Sequence, residues 1–255
     1  MNQLNVNLPE LPYAVSEAMN RIGINIKFCG KTPRKILLTS CQPNEGKSTI
    51  SSYLWKMLAE AGFPTVLVDV DLRKSVMKTR FQMDYDDDTT MGLNHYLSGM
   101  AEYEDVVYST NIPNGYMVPC TQLLENPSAL LEDVRFKELL NTLSENYRFV
   151  IIDSPPLGSV SDGALIASLC DGAVLVVRAG TTPRTLIKQS LYEIQQSGCK
   201  LLGTVLNRAD VKGRAYGKYG YGKYGYGYGY GYGYEPKDKK NSSDSAATDK
   251  NSTGK

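Results

Sequence analysis

Residues 40–49 read SCQPNEGKST, and the Gly-Lys-Ser triplet at 46–48 has the composition of a phosphate cradle. Gly46 lets the backbone approach phosphate oxygens, and successive N–H groups at the start of a helix face them. Lys47 adds a cation across the β,γ oxygens, and Ser48 offers its hydroxyl to Mg²⁺. The candidate nucleotide contacts are therefore Pro43, Asn44, Glu45, Gly46, Lys47, Ser48 and Thr49. An accidental helix start would carry the same triplet, but without a strand before it. Such loops usually open on glycine; Cys41 stands there and marks a divergent subclass.

Three aspartates sharpen the picture. Asp69 and Asp71 close the run LVDVDLR at 67–73, and Asp153 closes VIID before Ser154-Pro155-Pro156. Alternate residues of a strand face the same way, so Asp69 and Asp71 could address one ion. Each aspartate alone could be a loop cap. Together with Ser48 they are expected to converge on Mg²⁺ and the γ-phosphate of ATP. Arg73 has two readings, steadying phosphate charge or pairing with an aspartate. Asn207 and Arg208 close the last apolar run, where an asparagine is placed to read the edge of adenine.

The elements that would position these groups follow from apolar runs and spacing. Runs at 35–39, 65–69, 149–153, 173–177 and 201–206 predict buried strands, with 116–119 as a further candidate. Helical spacing predicts helices over 14–28, 48–61, 136–145, 162–169 and 184–196. Continuous apolar strands alternating with helices predict an α/β fold of the phosphate-loop type. Its sheet is mostly parallel and covered on both faces. Ligands of such sheets collect beyond the carboxyl ends of the strands. Ala14, Ala18, Ile22 and Ile26 predict the buried face of the first helix, which either covers the body or serves self-association.

The folded part is expected over 1–208 and a disordered tail over 209–255. Few aliphatic side chains occur beyond 208, too few to offset the entropy of ordering a backbone. That tail carries nine of the 18 tyrosines: Tyr216, Tyr219, Tyr221, Tyr224, Tyr226, Tyr228, Tyr230, Tyr232 and Tyr234. Nearly every residue between them is glycine. It holds nine Lys/Arg against five Asp/Glu, in a chain of 28 against 27, so the tail is basic and the body slightly acidic. Such a balance is no nucleic-acid signature, and the tail lacks Arg-Gly-Gly repeats. The five cysteines are scattered without a CxxC pair, as expected for buried thiols in a reducing compartment. No run reaches the roughly 18 apolar residues of a membrane span, so a cytoplasmic location is expected. The Asp-rich run 84–91 lacks the spacing of a calcium loop and reads as solvated. His95, the only histidine, reads as a packed or surface residue.

These segments together resemble the bacterial tyrosine kinases of capsule and exopolysaccharide synthesis, of the type whose kinase and membrane activator are separate proteins. The resemblance rests on SCQPNEGKST, LVDVDLR, VIIDSPP at 150–156 and the tyrosine cluster. It implies kinship with the ATPases that position division and partition machinery. Lys47 and Ser48 would bind phosphate and metal, Asp69 would assist the tyrosine hydroxyl, and Asp71 and Asp153 would support Mg²⁺. The tail tyrosines would be the acceptors. Implied partners are a membrane-bound polysaccharide co-polymerase as activator, which would recruit the kinase to the inner face of the membrane, a cognate tyrosine phosphatase, and further copies of the chain in a ring. The family carries a glutamate and two arginines spaced by three at the ring interface; Glu17 matches, but Asn20 and Gly23 replace the arginines, with Arg21 adjacent. A rival reading is a positioning ATPase with a sticky aromatic tail. Phosphate on tyrosine separates the two. A phenol with a pKa near ~10 is a poor nucleophile, and an aspartate of ordinary pKa is a weak base, so the sequence favours orientation over proton removal for Asp69.

Overall fold

The strands of the central sheet are almost wholly apolar, and their alternation sets what each face buries. The computed structural model describes residues 3–31, 33–86, 89–158 and 162–209. In chain order these form β1 (Gln3–Leu4), α1 (Tyr13–Phe28), β2 (Lys35–Ser40), α2 (Lys47–Glu60), β3 (Thr65–Asp69), α3 (Met77–Arg80), α4 (Leu93–Leu97), α5 (Tyr103–Val106) and β4 (Tyr108–Thr110). There follow β5 (Gly115–Val118), α6 (Ser128–Glu132), α7 (Val134–Asn146), β6 (Phe149–Asp153), α8 (Asp162–Ser168), β7 (Gly172–Arg178), α9 (Arg184–Gln196) and β8 (Lys200–Asn207). The tail tyrosines from Tyr216 to Tyr234 lie outside the described residues.

One sheet has the order β1-β4-β5-β3-β6-β2-β7-β8. Every neighbouring pair is parallel except β4 with β5. Val66, Val68, Val150 and Ile152 face one core layer, beside Leu93 of α4, Phe136 of α7, Ile166 of α8 and Ile194 of α9. Leu67 and Ile151 face the other layer, with Met19 and Ile26 of α1 and Leu54, Trp55 and Leu58 of α2. By the same alternation Asp69 and Asp153, two residues beyond Leu67 and Ile151, point toward the α2 side. The register pairs Asp69 with Asp153 and Leu38 with Asp153. Parallel pairing of β3, β6 and β2 thus brings both aspartates and the loop after Ser40 to one edge.

One expectation changes. The buried stripe of α1 is Met19, Gly23 and Ile26, whereas Ala14 and Ala18 are exposed. The helix is rotated so that Met19 and Gly23, not the alanines, face inward; Gly23 lies toward Met57 of α2, which a Cβ there would meet at 3.8 Å, in ordinary contact. The helix does cover the sheet. His95 caps its own short helix: its Nδ1 accepts from the Gly92 N–H at 3.1 Å. All five cysteines are free, four of them buried. No helix among the described residues is long and apolar enough to cross a membrane.

Trp55, the only tryptophan, is fully buried and donates from Nε1 to the Thr65 carbonyl at 3.0 Å. Gly115 leaves it room, since a Cβ there would come within 2.9 Å of the indole. Trp55→Ala should cost about 3–5 kcal/mol, read as a lowered urea midpoint at similar slope. A loss below about 1 kcal/mol would contradict this packing.

Candidate active site

The loop between β2 and α2 is built around a residue that an L side chain cannot easily replace. Gly46 has φ +95°, and a Cβ there would lie 2.2 Å from the Asn207 amide nitrogen. The left-handed turn lets α2 begin at Lys47. Asn44 is also left-handed, at φ 65°.

Glu45 is turned inward. Its Oε2 accepts from the backbone N–H groups of Cys41 at 2.8 Å and Gln42 at 3.0 Å. Its Oε1 accepts from the Thr182 hydroxyl. Asn207 Nδ2 donates to the Glu45 carbonyl at 2.8 Å, while its Oδ1 accepts from the Arg208 N–H at 2.9 Å. The loop is thus tied to the ends of β7 and β8.

Lys47, Asp71 and Asp153 form one buried cluster. Lys47 Nζ lies 3.0 Å from Asp71 Oδ2 and 3.5 Å from Asp153 Oδ2. Ser51 on the next turn of α2 donates to Asp153 Oδ1 at 3.0 Å. Burial alone would lower the Lys47 pKa; Asp153 and Asp71 outweigh it and hold the ammonium above its ordinary value. Burial likewise raises the Asp153 carboxyl, against the pull of Lys47. Asp69 is 1% exposed and accepts from the Ser75 hydroxyl. Desolvation, then the neighbouring Asp153 charge, push its pKa to about 8.

A cleft of about 210 Å³ opens over this cluster. Pro43, Asn44, Gly46, Lys47, Ser48, Asp71 and Arg73 are among the residues that line it. Asn207 and Arg208 line a second cleft with Asn44, Gly46, Thr49 and Arg80. Asp69 and Asp153 border neither cleft and sit beneath Lys47 and Ser75. Arg73 is committed elsewhere: it donates to Asp162 at 2.8 Å, to the Glu125 carbonyl at 2.8 Å and to Ser128 at 3.0 Å. Of its two readings, the pairing with an aspartate is the one seen. Sequence reasoning passed over Lys74, Val76, Arg80, Pro155 and Pro156, which also line the first cleft. Arg80 donates to Thr49 Oγ1 at 3.2 Å. Its signal was the basic run Arg73-Lys-Ser-Val-Met-Lys-Thr-Arg80.

The folded chain holds a proton on Asp69 up to about pH 8, whereas the unfolded chain releases it near its ordinary 3.8. The stability so gained is complete below that ordinary value and is lost as pH rises through about 8. The slope approaches about 1.4 kcal/mol per pH unit between the two values. Asp69→Asn should therefore flatten the fall of melting temperature with rising pH. Parallel profiles for the variant and the parent would show Asp69 to be ionised in the fold.

Comparison with known proteins places this geometry. The AAA domain family matches residues 34–195. A tyrosine-protein kinase, CpsD, of Streptococcus agalactiae is 42% identical over 208 residues, covering 81% of this chain and 90% of the relative. The crystal structure of the chimerical protein CapA2B2 superposes with a TM-score of 0.72 at 33% identity, over 80% of this chain and 92% of that one. The septum site-determining protein MinD of Pyrococcus horikoshii, solved with Mg-ADP, superposes at 0.57 with 25% identity, over 68% and 69%. With a relative 42% identical over most of both chains, the chain belongs to the bacterial tyrosine-protein kinases.

Proposed function

We propose that this kinase transfers the γ-phosphoryl group of ATP to the tyrosines of its own tail, Tyr216 to Tyr234, and so regulates synthesis and export of a capsular or exopolysaccharide. The observation that carries the reading is the Lys47 ammonium seated between Asp71 and Asp153 at the floor of a cleft formed by the phosphate loop. Pro43, Asn44, Gly46, Lys47, Ser48 and Thr49 would cradle the triphosphate, with Asn207 and Arg208 toward the base. Glu45 would add its backbone N–H, its carboxylate being engaged within the loop. Arg73 would act by fixing the loop that carries Asp71.

The donor chemistry fits a hard cation. The Ser48 hydroxyl and the Asp71 and Asp153 carboxylates would hold Mg²⁺, which takes one or two carboxylates together with substrate phosphates and water. Bound there, it would neutralise charge developing on the phosphates.

In the reaction a bond forms between the phenol oxygen and the γ-phosphorus, and the bond to the bridging oxygen of ADP breaks. The phenol proton must leave. With its pKa near 8, Asp69 is a stronger base than an ordinary aspartate, but it can take the phenol proton only in its ionised form, a minority at neutral pH that grows as pH rises through about 8. Proton removal by Asp69 would therefore gain weight only as pH rises toward 8, and at neutral pH the buried carboxyl would chiefly orient the phenol. Ser75, whose neighbours Lys74 and Val76 line the cleft, donates to Asp69 and would have to turn aside for a phenol to reach it.

The chain would meet a membrane-bound co-polymerase as activator at the inner membrane face, as the resemblance implies; a relative solved as a chimera supports a second polypeptide beside the kinase. A cognate phosphatase would reset the tail, and copies of the chain would phosphorylate one another. Incubating the full chain with labelled ATP and Mg²⁺, with and without peptides from candidate activators, tests the core of this. Label is expected on tail tyrosines. Lys47→Ala should lose at least ~100-fold in rate, as removal of a transition-state charge does. A mass-tagged Lys47→Ala protein mixed with the active kinase should gain phosphate on its tail. ATP hydrolysis without phosphotyrosine would favour a positioning ATPase instead.

A further inference from the structure

The carboxylate of Glu45 holds three hydrogen-bond donors at the opening of the phosphate loop. The residue is 3% exposed. One oxygen holds two successive backbone N–H groups, those of Cys41 and Gln42, at 2.8 and 3.0 Å. The other receives the hydroxyl of Thr182, 137 residues away. Thr182 is itself fixed, since its Oγ1 accepts from the Arg178 N–H at 3.2 Å. On the opposite side, the Glu45 carbonyl accepts from Asn207. The peptide just before Gly46 is therefore gripped from the ends of both β7 and β8.

We propose that Glu45 is a positioning residue for nucleotide: an internal carboxylate that folds the opening of the loop around itself, so that the remaining N–H groups are already aimed when a polyphosphate enters. The physical reason lies in the loop's departure from the usual pattern. Cys41 stands where a phosphate loop normally has glycine, and it is buried. Its N–H and that of Gln42 would otherwise be two donors inside a tight turn with nothing to bind. An anion supplied by the loop satisfies them, and charge-assisted bonds of this kind are short and strong. A loop held in its binding shape spends no affinity on ordering itself. Thr182 carries the grip across to the sheet, so the loop's shape depends on a turn far away in sequence.

This rests on the nucleotide reading, and the experiment separates the two. Titration calorimetry of the full chain with Mg-ADP is the direct measurement, with kcat and KM for ATP alongside. Glu45→Ala should weaken ADP binding about tenfold or more and raise KM, with kcat changed less than about threefold. Glu45→Gln keeps an acceptor oxygen and should recover most of that affinity. Thr182→Val should fall between the two, and it leaves the loop's internal bonds intact if Glu45→Ala fails to fold. Adding Thr182→Val to Glu45→Ala should cost little more than Glu45→Ala alone, because the tether is already gone. Unchanged ADP affinity in Glu45→Ala and in Thr182→Val, even with a lowered melting temperature, would overturn the inference. Failure of the parent protein itself to bind Mg-ADP would overturn the nucleotide reading instead.

Discussion

Three acidic side chains and one ammonium share a space almost closed to water, and the active end of the sheet is arranged around that fact. The parallel register of β3 with β6 sets Asp69 directly beside Asp153. Two ionised carboxylates so placed, both about 1% exposed, would repel one another in a poorly screened interior. The fold resolves this in two ways. Asp69 keeps its proton well above the ordinary range, and Lys47 lies against Asp71 and Asp153. Removing the lysine would leave carboxylates buried without a partner, which is costly on its own account.

The same cluster explains how one ammonium can serve two purposes. Lys47 starts α2, and Ser51, one turn on, meets Asp153 from the same helix. The helix is therefore registered on the sheet by polar contacts at its first turn and by Leu54, Trp55 and Leu58 beyond. The ammonium is held over the acids by packing that does not depend on it. Phosphate oxygens competing for that cation would, on the function proposed above, free the carboxylates to hold a divalent ion in its place.

Much of this was legible in the chain, and the limits are physical. Strands such as 149–153 stood out because buried parallel strands are apolar on both faces. The aspartates at their ends stood out because a charge following such a run needs a reason. Glu45 was readable as part of the loop but not as its inner brace, because Thr182 lies 137 residues on and nothing local marks the pairing. Arg73 left two readings open; its partner Asp162 belongs to α8, 89 residues later. The two-residue β1 and three-residue β4 carry too little pattern to announce themselves. In α1 the repeat of Ala14, Ala18, Ile22 and Ile26 was real, but a neighbouring stripe with a glycine packs closer. The tail tyrosines remain a reading of composition.

The final strand ends at Asn207, whose side chain touches the phosphate loop, and the polypeptide continues from Arg208. The last described strand therefore hands the chain on beside the phosphate loop, where Asn207 and Arg208 line a cleft with Asn44 and Gly46. A substrate tethered at such a point would compete as though it were present at millimolar levels, whatever the abundance of the enzyme. An outside protein seeking the same mouth would then have to displace a rival that never diffuses away, and selectivity would become a matter of tether length as much as of fit.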